Sequence, residues 1–350
     1  MNQTVIGSMD FTEGTTMKLL RKLTLLLLSA AMTVSLVACG GSTSQSAPDT
    51  DAAPVDDGLY TIGICQLVQH AAHDDATQGF KDALNEVLPN QVTFTSHIAS
   101  NDIAACSGIV NQFIAEEVDL ILANATPALQ IASAATGEIP ILGTSVTAYG
   151  AAMGLDEFDG VVGGNVSGTS DLAPLDAQAK MVQEWFPDAE TIGMLYCSAE
   201  VNSDYQVTEV SKLLEEMGYT CEDFAFTESN DLPLVLEAAI ASCDVLFVPT
   251  DNTVASNSTI IDNYCRPAGI PILGGDQGIC NGCTAATLCV SYYDLGYQTG
   301  LMAAKVLTGE ADISAMPIEY GNTTSVYNEA ICADLGLTPP TAEYVPVSVD

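Results

Sequence analysis

The stretch Asp244 to Ser258, DVLFVPTDNTVASNS, sets a carboxylate where an apolar segment stops and a helix can begin. Val245 to Val248 reads as a buried strand of a parallel sheet, so the polar run after it falls at the strand's carboxyl end, where open α/β sheets take ligands. Asp251 lies between the hydroxyls of Thr250 and Thr253 and next to Asn252. A helix starting here lowers the pKa of the Asp251 carboxyl and keeps it ionised, fit to receive a cationic group; a plain N-cap is the competing reading. Other apolar runs end in comparable side chains. Gln66 and His70 follow the first run, Thr126 follows Leu120 to Ala123, and Thr144, Ser145 and Thr147 follow Ile139 to Gly143. Asn202 and Ser203 come after Thr191 to Tyr196, and Asp276 after Ile270 to Gly274.

These residues do not assemble into a reaction centre. Gly143-Thr-Ser-Val-Thr147 follows a strand as a nucleophile elbow would, but the closing glycine is missing and no histidine follows His97, whereas that hydrolase order needs its histidine last. No dinucleotide or Walker glycine pattern opens a helix, so neither an enzyme nor a cofactor is expected. His70 and His73 have only Asp74 as a third ligand nearby, and a histidine in such a turn more often packs through hydrogen bonds. Cys280, Cys283 and Cys289, with Cys265 upstream, contain one C-x-x-C and no second pair, so a local disulfide or free thiols are expected there ahead of zinc.

Eight Lys and Arg against 45 Asp and Glu give the 350-residue chain a net charge of -37. Nucleic acid and anionic lipid surfaces call for a basic face and are excluded as partners; a phosphorylated ligand is disfavoured for the same reason. Lys18, Arg21 and Lys22 precede an apolar run from Leu23 to Val37 too short to span a bilayer, which is the layout of a signal peptide over residues 1–38 with Met17 as its expected start. Leu36-Val-Ala-Cys39-Gly40 resembles the lipobox of bacterial lipoproteins, and the resemblance implies that Cys39 is lipidated and anchors the chain to the outer face of the cell membrane. Residues 39–58 are a Ser-, Ala-, Pro- and Asp-rich tether that cannot pack a core.

From Tyr60 the chain alternates strands and helices, which implies right-handed crossovers and parallel sheets covered on both faces. A break between Val162 and Ser170 separates two such series. They echo one another: Asp119-Leu-Ile-Leu-Ala-Asn-Ala-Thr-Pro matches Asp244-Val-Leu-Phe-Val-Pro-Thr-Asp, and Ile139-Pro-Ile-Leu-Gly matches Ile270-Pro-Ile-Leu-Gly. The expected fold class is α/β, with two similar doubly wound parallel-sheet lobes and a ligand cleft between them.

Ile64-Cys-Gln-Leu-Val-Gln-His, Ala125-Thr-Pro-Ala, Thr144 to Thr147, Gly164-Asn-Val-Ser-Gly-Thr-Ser-Asp, Tyr196-Cys-Ser-Ala-Glu-Val-Asn-Ser, Val248-Pro-Thr-Asp-Asn-Thr-Val and Tyr292-Tyr-Asp-Leu-Gly-Tyr-Gln-Thr-Gly fall in that order. Together they resemble the tryptophan-type substrate-binding lipoproteins of ABC transporters, over Tyr60 to about Leu337. The resemblance implies a type I periplasmic-binding-protein fold, a hinge-closing cleft, an aromatic or related amino acid as cargo, and permease and ATPase subunits as partners. On this plan residues 59–165 with about 291–318 form one lobe, and 166–290 with about 319–345 the other. His73, where an apolar residue is usual, and the cysteines at 280 to 289 depart from the pattern. For an α-amino acid, Thr126, Thr144, Ser145 and Thr147 with the helix after Pro127 would hold the carboxylate. Asp251, then Asp276, would hold the ammonium, helped by Asn202 and Ser203; Gln66 and His70 would reach the side chain. Tyr292, Tyr293 and Tyr297 are expected at the hinge or rim. A nucleoside or sugar receptor of the same fold is the alternative, as is a sensor domain without a transporter.

Overall fold

The computed structural model describes residues 59–347; the expected signal segment, Cys39 and the whole of the tether lie outside the described residues. In chain order the first series is β1 (Tyr60–Gln66), α1 (Ala71–Val87), β2 (Val92–Ile98), α2 (Ile103–Ala115), β3 (Leu120–Asn124), α3 (Thr126–Ala135), β4 (Ile141–Val146), α4 (Tyr149–Ala152) and β5 (Val166–Ser170). The second is α5 (Leu175–Trp185), β6 (Thr191–Cys197), α6 (Val201–Glu216), β7 (Thr220–Phe226), α7 (Leu232–Ser242), β8 (Val245–Val248), α8 (Asn252–Ser256), α9 (Ser258–Ala268), β9 (Ile272–Gly274), α10 (Gln277–Gly282) and β10 (Ala286–Val290). The chain ends through α11 (Tyr292–Leu307), β11 (Glu319–Tyr320), β12 (Thr323–Tyr327), α12 (Glu329–Leu335) and β13 (Val345–Pro346).

Two sheets result, ordered β11-β5-β4-β3-β1-β2 and β13-β12-β10-β9-β8-β6-β7. All named pairings are parallel except β10 with β12. Both faces of each sheet are covered, so successive strand residues enter different cores. In the first sheet Leu120 and Leu122 pack with Ile62, Phe80 and Met302, whereas Ile121 and Ala123 pack with Phe113 and Leu129. In the second, Met194 and Phe247 face Val210 and Leu273, whereas Leu195 and Leu246 face Leu236 and Ile261. The echo between the halves has a physical counterpart. Asp119 accepts the Thr61 N–H at 2.8 Å and Asp244 accepts the Glu190 and Thr191 N–H groups at 2.9 Å, each tying the start of its strand to the neighbour.

The sheets divide the chain differently from the sequence reading. β5, expected beyond the break, pairs with β4, and β11 pairs with β5, so both belong to the first sheet. The chain therefore crosses between the sheets after Ser170, around Ser291 and around Asn322. Between the last two crossings runs α11, which packs lengthwise on α1. Glycines permit that contact: a Cβ on Gly296 would stand 1.9 Å from the Ala76 carbonyl oxygen, and one on Gly79 would stand 2.1 Å from that of Tyr293. α1 begins at Ala71 and α6 at Val201, and the stretch after β8 forms two helices, α8 and α9, that meet at Asn257.

Candidate ligand-binding cleft

The residues nominated from sequence gather at the carboxyl ends of β1, β3, β4, β6, β8 and β9, on the sides of the sheets from which the crossovers leave. On the first lobe, α3 starts at Ala125 with no side chain capping it. Its first N–H groups have no partner within the helix, and the macrodipole adds positive potential there. Ala125 has φ of +104° and Ser145 of +54°, conformations that cost a non-glycine residue on the order of 1–3 kcal/mol. Ser145 lies where the pairing of β4 with β5 slips between Gly143 and Val146. A bulge of this kind re-aims a side chain. The hydroxyls of Thr126 and Ser145 are buried and have no hydrogen-bond partner. Thr144 and Thr147 are buried beside them; Thr144 accepts a long bond from Thr169 at 3.4 Å, and the Thr147 carbonyl accepts from Ser170 at 2.7 Å.

Gln66 and His70 have unlike environments. The Gln66 amide donates to the Val68 carbonyl and Asp74 and accepts from Thr77, which saturates it within its own lobe. His70 caps α1 through its backbone only, and both of its ring nitrogens are buried without a partner. Its ring lies 3.9 Å from that of His73. His73 is held neutral, its pKa driven down first by burial and then by His70, and its Nδ1 meets the Val68 carbonyl at 3.2 Å.

On the second lobe the loop after β8 is strongly acidic. Asp251 caps α8 by accepting the Val254 N–H at 2.8 Å and also accepts the Cys197 N–H at 2.7 Å, so the cap seen as the competing reading is present and both oxygens are engaged. Glu200 was not nominated from sequence. It takes the Asn252 and Thr253 N–H groups at 3.0 Å, the Asn252 amide and the Thr253 hydroxyl. Burial, and then the Glu200 charge, push the Asp251 carboxyl up to about 8, against the pull of the Cys197 and Val254 N–H groups and the Ser203 hydroxyl. Asn202 and Ser203 lie in the first turn of α6 rather than in a loop. Asn202 donates to Glu200 and to the Thr250 carbonyl, while its Oδ1 is buried and unpartnered. Thr250 itself enters through its backbone, which Gln206 grips from both sides.

Asp276 caps α10 through the Ile279 N–H. Asp171, the last residue of the Gly164-to-Asp171 motif, is buried at the first crossing and accepts the Tyr292 hydroxyl at 2.7 Å from the second. Tyr292 thus ties the second crossing to the first, whereas Tyr293 and Tyr297 lie on the α1 side and donate to Asp82 and Glu86. Asn101, at φ +61°, bridges the lobes by donating to the Thr253 hydroxyl at 3.3 Å. A cavity of about 230 Å³ lies between Ala71, Ala72 and Asp75 on one lobe and Gln277, Gly278 and Asn281 on the other, with Tyr292 at its wall. Among the described residues the ion pairs of Lys180, Lys212 and Arg266 go to Glu184, Glu209, Asp262 and Asp334, and none reaches these buried acids. Glu200, Asp171 and Asn101 were missed because their burial depends on approaches between distant segments. Glu200 at a helix start and Asp171 closing a motif were the available signals.

Residues 61–347 match the family model for ABC transporter substrate binding proteins. A tyrosine-binding protein of Clostridioides difficile is 30% identical over 310 residues, covering 87% of this chain and 89% of that protein. The ABC domain of a Streptococcus pneumonia protein in complex with L-Trp superposes with a TM-score of 0.78 at 30% identity, covering 83% of this chain and all of the other. A ligand-free, open structure of a substrate binding protein with adhesive properties from Clostridium difficile reaches a TM-score of 0.64 over the same share, although it is 35% identical. The chain belongs to the ABC transporter substrate binding protein family.

Proposed function

We propose that this protein is the extracytoplasmic binding component of an ABC importer, tethered to the membrane through a lipidated Cys39, and that it carries an aromatic amino acid in the cleft between its lobes. One observation carries the reading: Thr126, Ser145, Asn202 and His70, each nominated from sequence and each at or just after a strand's carboxyl end, keep buried polar atoms without partners. Buried polar groups are rarely left unpaired, so the cleft is built for donors and acceptors that a ligand brings. The ligand carboxylate is assigned to the open N-terminus of α3 with Thr126, Ser145, Thr144 and Thr147. Here a helix end replaces the arginine the cleft lacks. The uncompensated acids of the second lobe and the hinge set the potential that draws the ammonium. The cavity lined by Ala72, Gln277 and Tyr292 takes the side chain. The tyrosine and L-Trp named for the two relatives support an aromatic amino acid. The protein binds and delivers; it performs no reaction of its own.

A thermal-shift screen of the twenty amino acids, nucleosides and simple sugars tests this. L-Trp, L-Tyr or L-Phe should raise the melting temperature, because a ligand at 100 times its Kd stabilises by about 2.7 kcal/mol. A shift with nucleosides or sugars and none with any amino acid would replace the reading with the other receptor class. Export and anchoring have their own check: Cys39→Ser should move the protein from the membrane fraction to the medium or periplasm and abolish fatty-acid labelling.

A further inference from the structure

The cleft contains four buried carboxylates, Asp171, Glu200, Asp251 and Asp276, and their hydrogen bonds separate them. Asp251 has a main-chain N–H on each oxygen, and Glu200 has donors from Asn252 and Thr253 on both. Asp276 caps α10. Asp171 differs: Oδ2 accepts the Tyr292 hydroxyl, but Oδ1 is buried without a partner, and the side chain is 4% exposed. It is the only carboxylate with such an orphaned oxygen among the described residues. An ionised oxygen in that position is costly unless a cation or strong donor meets it. No described Lys or Arg ion pair reaches it, and the Thr147 hydroxyl is the one further donor near the carboxyl.

We infer that Asp171 Oδ1 receives the ammonium group of the bound amino acid, at the hinge, in place of the Asp251 carboxylate that the sequence favours. The assignment rests on the amino-acid reading given above and names the residue that makes it specific for an amine. Neighbours fit the role. Thr147, on the loop assigned to the ligand carboxylate, and Asp276, from the second lobe, are both near enough to act on the Asp171 carboxyl, which burial pushes up to about 6 while the Tyr292 and Thr147 hydroxyls pull it down. An amine on Oδ1 and a carboxylate at the Thr144-to-Thr147 loop are thus assigned to neighbouring groups, as the zwitterion of an α-amino acid requires. Because Oδ2 is bonded to Tyr292, the same carboxylate joins the first and second crossings. Filling Oδ1 would fix the group that holds these two strands of the hinge together.

The test compares ligands with and without the amine. Calorimetric titration of the full chain with L-Trp and L-Tyr, beside indole-3-propionate and 3-(4-hydroxyphenyl)propionate, gives the preference of the wild type for the amine. In Asp171→Asn the affinity for the amino acids should fall roughly 30- to 1,000-fold, the range for breaking a desolvated charge pair, while the desamino acids change by less than about threefold. Equal losses for both kinds of ligand would assign Asp171 a purely structural role and overturn the inference. So would an unchanged preference in Asp171→Asn together with its loss in Asp251→Asn, which leaves the amino-acid reading standing. Should the wild type bind neither amino acid, that reading falls and takes this one with it. A crystal structure of the wild type grown with L-Trp decides without any variant: an amine nitrogen about 2.7–3.1 Å from Asp171 Oδ1 supports the assignment, and one beyond about 4 Å overturns it.

Discussion

Asp251 and Glu200 lie together under the first turn of α8, covered by N–H and O–H donors but by no positive charge. Such a pair responds to pH in a defined direction. The folded pKa of Asp251, about 8, lies above its ordinary value of 3.8, so between these values the native state holds a proton that the unfolded chain has released. Stability from this group is complete below about pH 4 and declines as pH rises toward 8; Asp171, raised to about 6, acts the same way over a narrower window. The unliganded protein should melt at a lower temperature at pH 8 than at pH 5, with a slope of at most about 1.4 kcal/mol per pH unit for each group. Asp251→Asn should flatten the limb between pH 6 and 8, as scanning calorimetry across that range would reveal. At this scale the sequence was informative about which loops hold polar side chains and less so about which oxygens are free. Thr126, Ser145 and Asn202 could be named because they follow apolar runs, but Asp251's engagement by Cys197 is a meeting of residues 54 apart.

The helix pair α1 and α11 shows what one element requires of another. Gly296 faces the Ala76 carbonyl so closely that an added methyl must part the helices. Gly296→Ala should therefore cost about 1–3 kcal/mol in denaturant unfolding, the usual penalty of overpacking, whereas Gly309→Ala, at a positive-φ turn open to space, tests backbone strain alone. A Gly296→Ala variant of unaltered stability would show that the helices can separate freely. The parallel alternation was legible because strands buried on both faces read as continuous apolar runs. β5 was not, since Val166-Ser-Gly-Thr-Ser is mostly polar and is buried only by its place between β4 and β11. β11 and β13, two residues each, carry no periodicity to read.

Across the whole molecule elements of the two sheets touch through the Asn101 to Thr253 bond and through α4 against α6. Closure by rigid rotation about the crossing segments is the expected response to ligand. Small-angle scattering should show a smaller radius of gyration once the amino acid found by screening is saturating. Asn101→Gly keeps the left-handed backbone and removes the bridging amide, and should raise the ligand dissociation rate several-fold with little change in melting temperature. Stopped-flow release kinetics would read it. An unchanged rate would assign closure to contacts other than this one.

The interleaving of the two lobes bears on how the chain is made. α1 is synthesised early, yet the surface on which it lies, α11, and the edge strand β11 follow β6 to β10 of the second sheet. Until residue 320 has emerged, the glycine face of α1 has nothing to cover it and the first sheet lacks an edge. Neither lobe can thus be completed until the chain is nearly whole, since β12 and β13 of the second sheet come later still. A nascent chain of this design stays loosely folded until nearly its whole length exists, a condition that suits a polypeptide threaded through a membrane before it folds.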